Sequence, residues 1–94
     1  MTWTARVEDE HGQLVCKSFV IVESGSLPQG KRFPISSLIE AAPYYDTILN
    51  PIQTKALIEE LTLSKPDAES PHSPLLKLAK RALEPHTYLR FIGD

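Results

Sequence analysis

The tightest constraint on this chain lies in its first 22 residues, where two apolar-rich runs flank a short polar turn. Trp3, Ala5 and Val7 alternate with Thr4, Arg6 and Glu8, so a first strand has one apolar and one polar face. Asp9-Glu10-His11-Gly12 follows, with a glycine that takes the positive φ a hairpin turn often requires. Residues 14–22 then place Val15, Phe19 and Ile21 with Lys17 on one side, and Leu14, Cys16, Val20 and Val22 with Ser18 on the other. Apolar residues on both sides read as a central strand covered on both faces, or covered along part of its length.

Downstream, the pattern turns helical. Residues 23–32 form a turn-rich surface loop. Ile35, Leu38 and Ile39 then fit two helical turns ended by Pro43, although Pro34 and the serine pair leave an irregular apolar segment as an alternative. Asn50, Pro51 and Gln53 give a well-defined helix start: an N-cap, a first-turn proline and the acceptor of a capping box. That helix is expected over residues 51–63. Its apolar residues split into Ile52, Ala56 and Leu63 against Leu57, Ile58 and Leu61, which leaves room for two neighbours, one of them a second copy of the chain in a homodimer. Residues 64–73 contain two prolines and no large apolar side chain, the composition of a mobile linker. Ser73 and Pro74 open a further helix with Leu75, Leu76, Leu78, Ala79, Ala82 and Leu83 on one arc, a basic Lys77, Lys80, Arg81 stripe opposite, and Pro85 as its stop. Residues 86–92 alternate as a last strand.

The expected fold class is α+β, with the N-terminal β-hairpin and the C-terminal strand in a small antiparallel sheet packed by two to three helices. Ninety-four residues make one domain, residues 1–94, large enough to fold without metals or disulfides. A single cysteine suits a reducing compartment. No apolar run reaches the roughly 20 residues that cross a bilayer, and the N-terminus lacks a signal peptide's pattern. A cytoplasmic protein with no membrane partner is the expectation. Ten basic against twelve acidic residues give a net charge of −2, which argues against a general nucleic-acid binder.

No complete catalytic set emerges, and neither a cofactor nor a metal is expected. Cys16 sits mid-strand, where a thiol packs as a small hydrophobe, and it lacks a local activating base. His11, His72 and His86 have no metal-ligand spacing. His86 follows Glu84-Pro85 at a helix-to-strand junction, where its ring is expected to orient the turn. The distinctive loop is Pro43-Tyr44-Tyr45-Asp46-Thr47-Ile48-Leu49-Asn50. Two adjacent tyrosines cannot both enter one core from an extended chain, and exposed tyrosine is common in interfaces. Tyr44, Tyr45, Asp46 and Thr47 are therefore candidate partner-binding residues, together with the acids Glu8, Asp9 and Glu10 at the hairpin tip.

Two segments also carry a resemblance. Residues 43–53 resemble a PYxDTxxNxxQ pattern, and residues 84–94 an EPHxYLxFIGD terminus, both similar to segments of a family of small bacterial proteins of about this length. Family versions of the first motif often read Asp-Pro-Tyr-Gly-Asp where this chain has Ala-Pro-Tyr-Tyr-Asp. The resemblance implies a bacterial origin and one compact domain, and brings no activity with it. Small acidic proteins of this kind are frequently immunity or antitoxin partners, which makes an inhibitor of a toxin or enzyme the leading expectation. The alternative is a small enzyme or ligand-binding domain that uses Asp46, Asn50, His86 and Asp94, provided the two motifs converge in space.

Overall fold

Alternation along the N-terminal run produces strand β1 (Thr2–Asp9), and the apolar run after the turn produces β2 (Leu14–Glu23). They are joined antiparallel, with Trp3 opposite Val22 and Ala5 opposite Val20. Gly12 sits at φ 78° in the turn, where a side chain would be strained. The computed structural model describes residues 2–23, 25–41, 46–64 and 73–93. After the hairpin come α1 (Pro34–Glu40), β3 (Thr47–Leu49), α2 (Pro51–Ser64), α3 (Ser73–Lys80) and β4 (Thr87–Gly93). The architecture is α+β, with the hairpin and the C-terminal strand in one antiparallel sheet. Among the described residues the sheet has four strands in the order β2-β1-β4-β3, with the helices on one face.

The core lies between that face and the helices. Trp3, Ala5 and Val7 of β1, Leu89 and Phe91 of β4, and Leu49 of β3 are completely buried against Leu57 and Leu61 of α2 and Ala79 of α3. Burying a side chain of Leu or Phe size contributes about 1.5–3 kcal/mol. On α2 it is the Leu57 and Leu61 side that faces the core; Ile52 and Leu63 stay exposed, the first at 81%.

Four expectations change. β2 is an edge strand, and Leu14, Val15, Phe19 and Ile21 are exposed while Val22 is buried, so the central strand covered on both faces gives way to the strand covered along part of its length. Its alternation is interrupted by a register shift opposite residues 6–8, which returns Leu14 to the face that carries Phe19. The loop reading of residues 43–50 misses β3, a strand too short to show periodicity, which exists through its pairing with β4. Residues 42–45 of that segment, Tyr44 and Tyr45 among them, lie outside the described residues, as do linker residues 65–72. The final helix ends at Lys80, before the expected Pro85 stop, because Arg81 and Ala82 donate three residues back to Leu78 and Ala79 and tighten into a turn. The loop at residues 23–32 is more than a surface connection. Leu27 is buried in the core, and the Glu40 carboxylate accepts from the Gly25 N–H at 2.6 Å and from the Gln29 amide at 3.2 Å.

Helix α1 settles the alternative between helix and irregular segment. Phe33, at its N-cap, provides no side-chain bond. Its first N–H groups are instead met by Glu60 of α2, which accepts from Ile35 at 3.0 Å and from Ser36 at 2.9 Å. A nearly buried carboxylate thus caps one helix from the flank of another and locks the helical layer together.

Candidate functional site

The sheet face away from the helices carries the chain's most concentrated chemistry. Pairing register sets the rows: Phe19, Arg6, Arg90 and Ile48 lie side by side across the four strands. Leu14, Glu8 and Tyr88 form the row toward the hairpin turn, and Ile21, Thr4 and Ile92 the row away from it. Phe19 is 63% exposed, and Ile21 and Ile48 are about half exposed. The result is a charged centre with an apolar margin on both flanks.

Two arginines directly opposite each other would repel, and two carboxylates prevent it. Arg6 donates through Nε to Glu8, and Arg90 donates through Nη1 to the other Glu8 oxygen at 3.3 Å. Arg90 also donates through Nε to Asp46 at 3.1 Å and through Nη2 to the same oxygen. The bond to Asp46, then that to Glu8, holds the Arg90 guanidinium above its ordinary pKa. Glu8 is only 4% exposed, although it lies on the uncovered face. The two arginines shield it, and removing either would leave a carboxylate short of a partner.

The acids expected to bind a partner together at the hairpin tip are spent in three different ways. Glu8 belongs to the ion-pair centre. Asp9 closes the turn, accepting from the His11 N–H at 2.8 Å and the Gln13 N–H at 3.0 Å, and these bonds hold its carboxyl below the ordinary pKa. Glu10 is exposed and pairs with His86 Nδ1 at 3.2 Å and with His11 at 3.6 Å. His86 adopts φ 63°, a left-handed conformation uncommon outside glycine, in the turn that the Thr87 N–H closes onto the Glu84 carbonyl. His86, expected to orient its turn, thus has a carboxylate of the hairpin tip as its partner.

Asn50 is committed to its helix. Its side-chain oxygen accepts from the Gln53 N–H at 2.8 Å, while Gln53 accepts from the Asn50 N–H at 3.0 Å, the reciprocal pair of a capping box. Thr47 opens β3 opposite Phe91 and is half buried. Asp94 lies outside the described residues. The structure therefore joins Asp46 to Glu8 through Arg90, and His86 to Glu10. It gives Asn50 a separate structural task.

Arg90, Arg6 and Ile48 are the residues that sequence reasoning passed over. The signal for Arg90 was present in the alternation of residues 86–92, which sets it on the opposite face from Leu89 and Phe91. A depression of about 280 Å³ at the turn end of this face is lined by Glu8, Glu10, Ile48, Tyr88 and Arg90. Its Glu8 is held by guanidinium groups, as is neighbouring Asp46, which suits recognition better than proton transfer. Among the described residues no group of three or more His, Cys, Asp or Glu is placed to hold a metal ion. Among the described residues, no helix is long and apolar enough to cross a membrane.

Fold and site together define a two-layer α+β domain with one sheet face left bare. Compared with known protein families, with curated proteins and with solved structures, the chain matches none.

Proposed function

We propose that this chain is a non-enzymatic protein-binding module of the immunity or antitoxin type, which occludes a toxin or enzyme with the bare face of its sheet. One observation carries the reading: Phe19, Ile21 and Ile48 stand exposed around the Arg6–Glu8–Arg90–Asp46 centre on four paired strands. Such a surface costs little conformational entropy to present, because the sheet holds its backbone rigid. An apolar margin supplies contact area, and Arg and aromatic side chains are the types that dominate interface energetics. Tyr44 and Tyr45 adjoin Asp46 in sequence and are kept as candidate contacts on that ground.

The test is affinity capture from the bacterial host, followed by reconstitution with the purified partner. Capture should be lost in Phe19→Ser/Ile48→Ser and weakened in Asp46→Ala. It should persist in Ile52→Ser, a change at a still more exposed apolar residue on α2. Undiminished binding by the Phe19→Ser/Ile48→Ser variant overturns the reading.

A further inference from the structure

Strand β2 ends the sheet, so among the described residues its outer backbone edge has no strand partner. Edges in natural proteins are usually blunted by brevity, proline, bulges or inward charge. β2 is ten residues long and lacks proline; its register shift and Lys17 lie between Leu14 and Phe19, and from Phe19 to Glu23 it pairs in regular register with neither device. Beside that edge, on the covered side of the sheet, runs α3. The two enclose a groove with Val20, Val22, Leu75 and Leu78 as its apolar floor.

The groove has polarity along its length. Lys77 and Arg81 rim a hollow of about 250 Å³ next to Ser18 and Val20. A second hollow of about 230 Å³ is closed by Leu27 and Leu75 next to Val22. Lys17 adds a further exposed cation on the opposite side of the same strand, beside Phe19. Among the described residues, Lys17, Lys77 and Arg81 have no ion-pair partner, whereas Arg6 and Arg90 on the bare face do.

We infer that the β2 edge, with α3 as its wall, takes an extended acidic peptide segment by strand addition. The unpaired backbone of β2 would supply the ladder. The hollows would take alternate side chains, acidic toward Lys77 and Arg81 and apolar toward Leu27. Charge decides against a second copy as the occupant. A two-fold pairing of β2 strands centred on Val20 would bring Lys77 and Arg81 of both copies face to face. This inference deepens the protein-binding reading, on which it rests, by giving the partner's chemistry at a surface next to the bare face.

The test is calorimetric titration and amide NMR with a capped peptide the length of β2, alternating glutamate and valine. Saturable binding is expected, with shift changes at residues 17–22 and along α3, slowed exchange of the β2 amides, and weakening by salt. The Lys77→Glu/Arg81→Glu variant, altered only at exposed positions, should keep its circular dichroism and bind at least about fivefold more weakly. Binding of a lysine–valine peptide with equal strength overturns the inference, as does no binding at about 1 mM peptide. A doubled mass in light scattering, with β2 amides protected before any peptide is added, also overturns it, because a second copy then holds the edge. If the peptide fails while Phe19→Ser/Ile48→Ser still abolishes natural capture, strand addition falls and the wider reading stands. If the peptide binds while capture ignores that variant, the bare face is the part that fails.

Discussion

The two faces of the sheet are built from the same strands, residue by residue in alternation, and they do opposite things. On β1, Trp3, Ala5 and Val7 vanish into the helical layer, while Thr4, Arg6 and Glu8 meet solvent or one another. The covered face is mainly apolar, with Thr47 and Thr87 only at its strand ends, so most of its stability comes from area removed from water. The bare face is heterogeneous, and its centre is held by directional charge pairs with apolar residues left uncovered around them. A face made only to be wetted would not keep Phe19, Ile21 and Ile48.

Substitutions on the two faces should therefore separate stability from binding. Phe91→Ala, at the centre of the covered face, should cost about 3–5 kcal/mol in urea unfolding, a large share of a small domain's stability. Glu60→Ala acts on the layer that does the covering. It strips the acceptor from Ile35 and Ser36 and should cost about 2 kcal/mol, with the loss of α1 amide protection preceding that of α2. Thr54→Val has the opposite sign. The Thr54 hydroxyl is fully buried, with no partner among the described residues, so the nearly isosteric valine should stabilise by about 1 kcal/mol. Phe19→Ser on the bare face should change unfolding free energy by no more than about 0.5 kcal/mol while removing partner capture; a large stability loss would mean that this residue serves the fold after all.

The smallest effect is at the turn. Backbone N–H groups of Gln13 and His11 favour the charged form of Asp9, so its folded pKa lies below the ordinary 3.8. Its contribution is complete above 3.8 and is lost as pH falls through the lower folded value. A carbon-detected titration should give an Asp9 midpoint below 3.8, with His11 and Gln13 amide shifts following it. A midpoint above 3.8 would contradict the turn geometry.

How much was legible in the sequence depended on how far away each residue's partner lies. Helix α2 carries its start in Asn50 and Gln53, three residues apart, and was readable directly. Helix α1 takes its cap from Glu60, more than twenty residues downstream, and so looked indistinct in its own segment. Strand β1, with one polar side, announced its covered face. β2 has apolar residues on both sides, a pattern shared by a buried strand and by an exposed edge that awaits a partner. Periodicity does not distinguish those two cases. The charged centre was illegible as a unit, because Glu8 and Arg90 stand 82 positions apart and are joined by the pairing of the first strand with the last.

That pairing has a consequence in time. β1 lies inside the sheet, yet one of its two neighbours is β4, more than eighty positions downstream, and among the described residues β3 has no neighbour except that same strand. As the chain is synthesised, the hairpin can form early, but a lone hairpin is marginal in water and the helices find only half a sheet to cover. Trp3 and Val7 therefore wait, uncovered on one flank, until Leu89 and Phe91 emerge. Closing the sheet therefore depends on a pairing of long sequence separation, the kind of contact that slows folding.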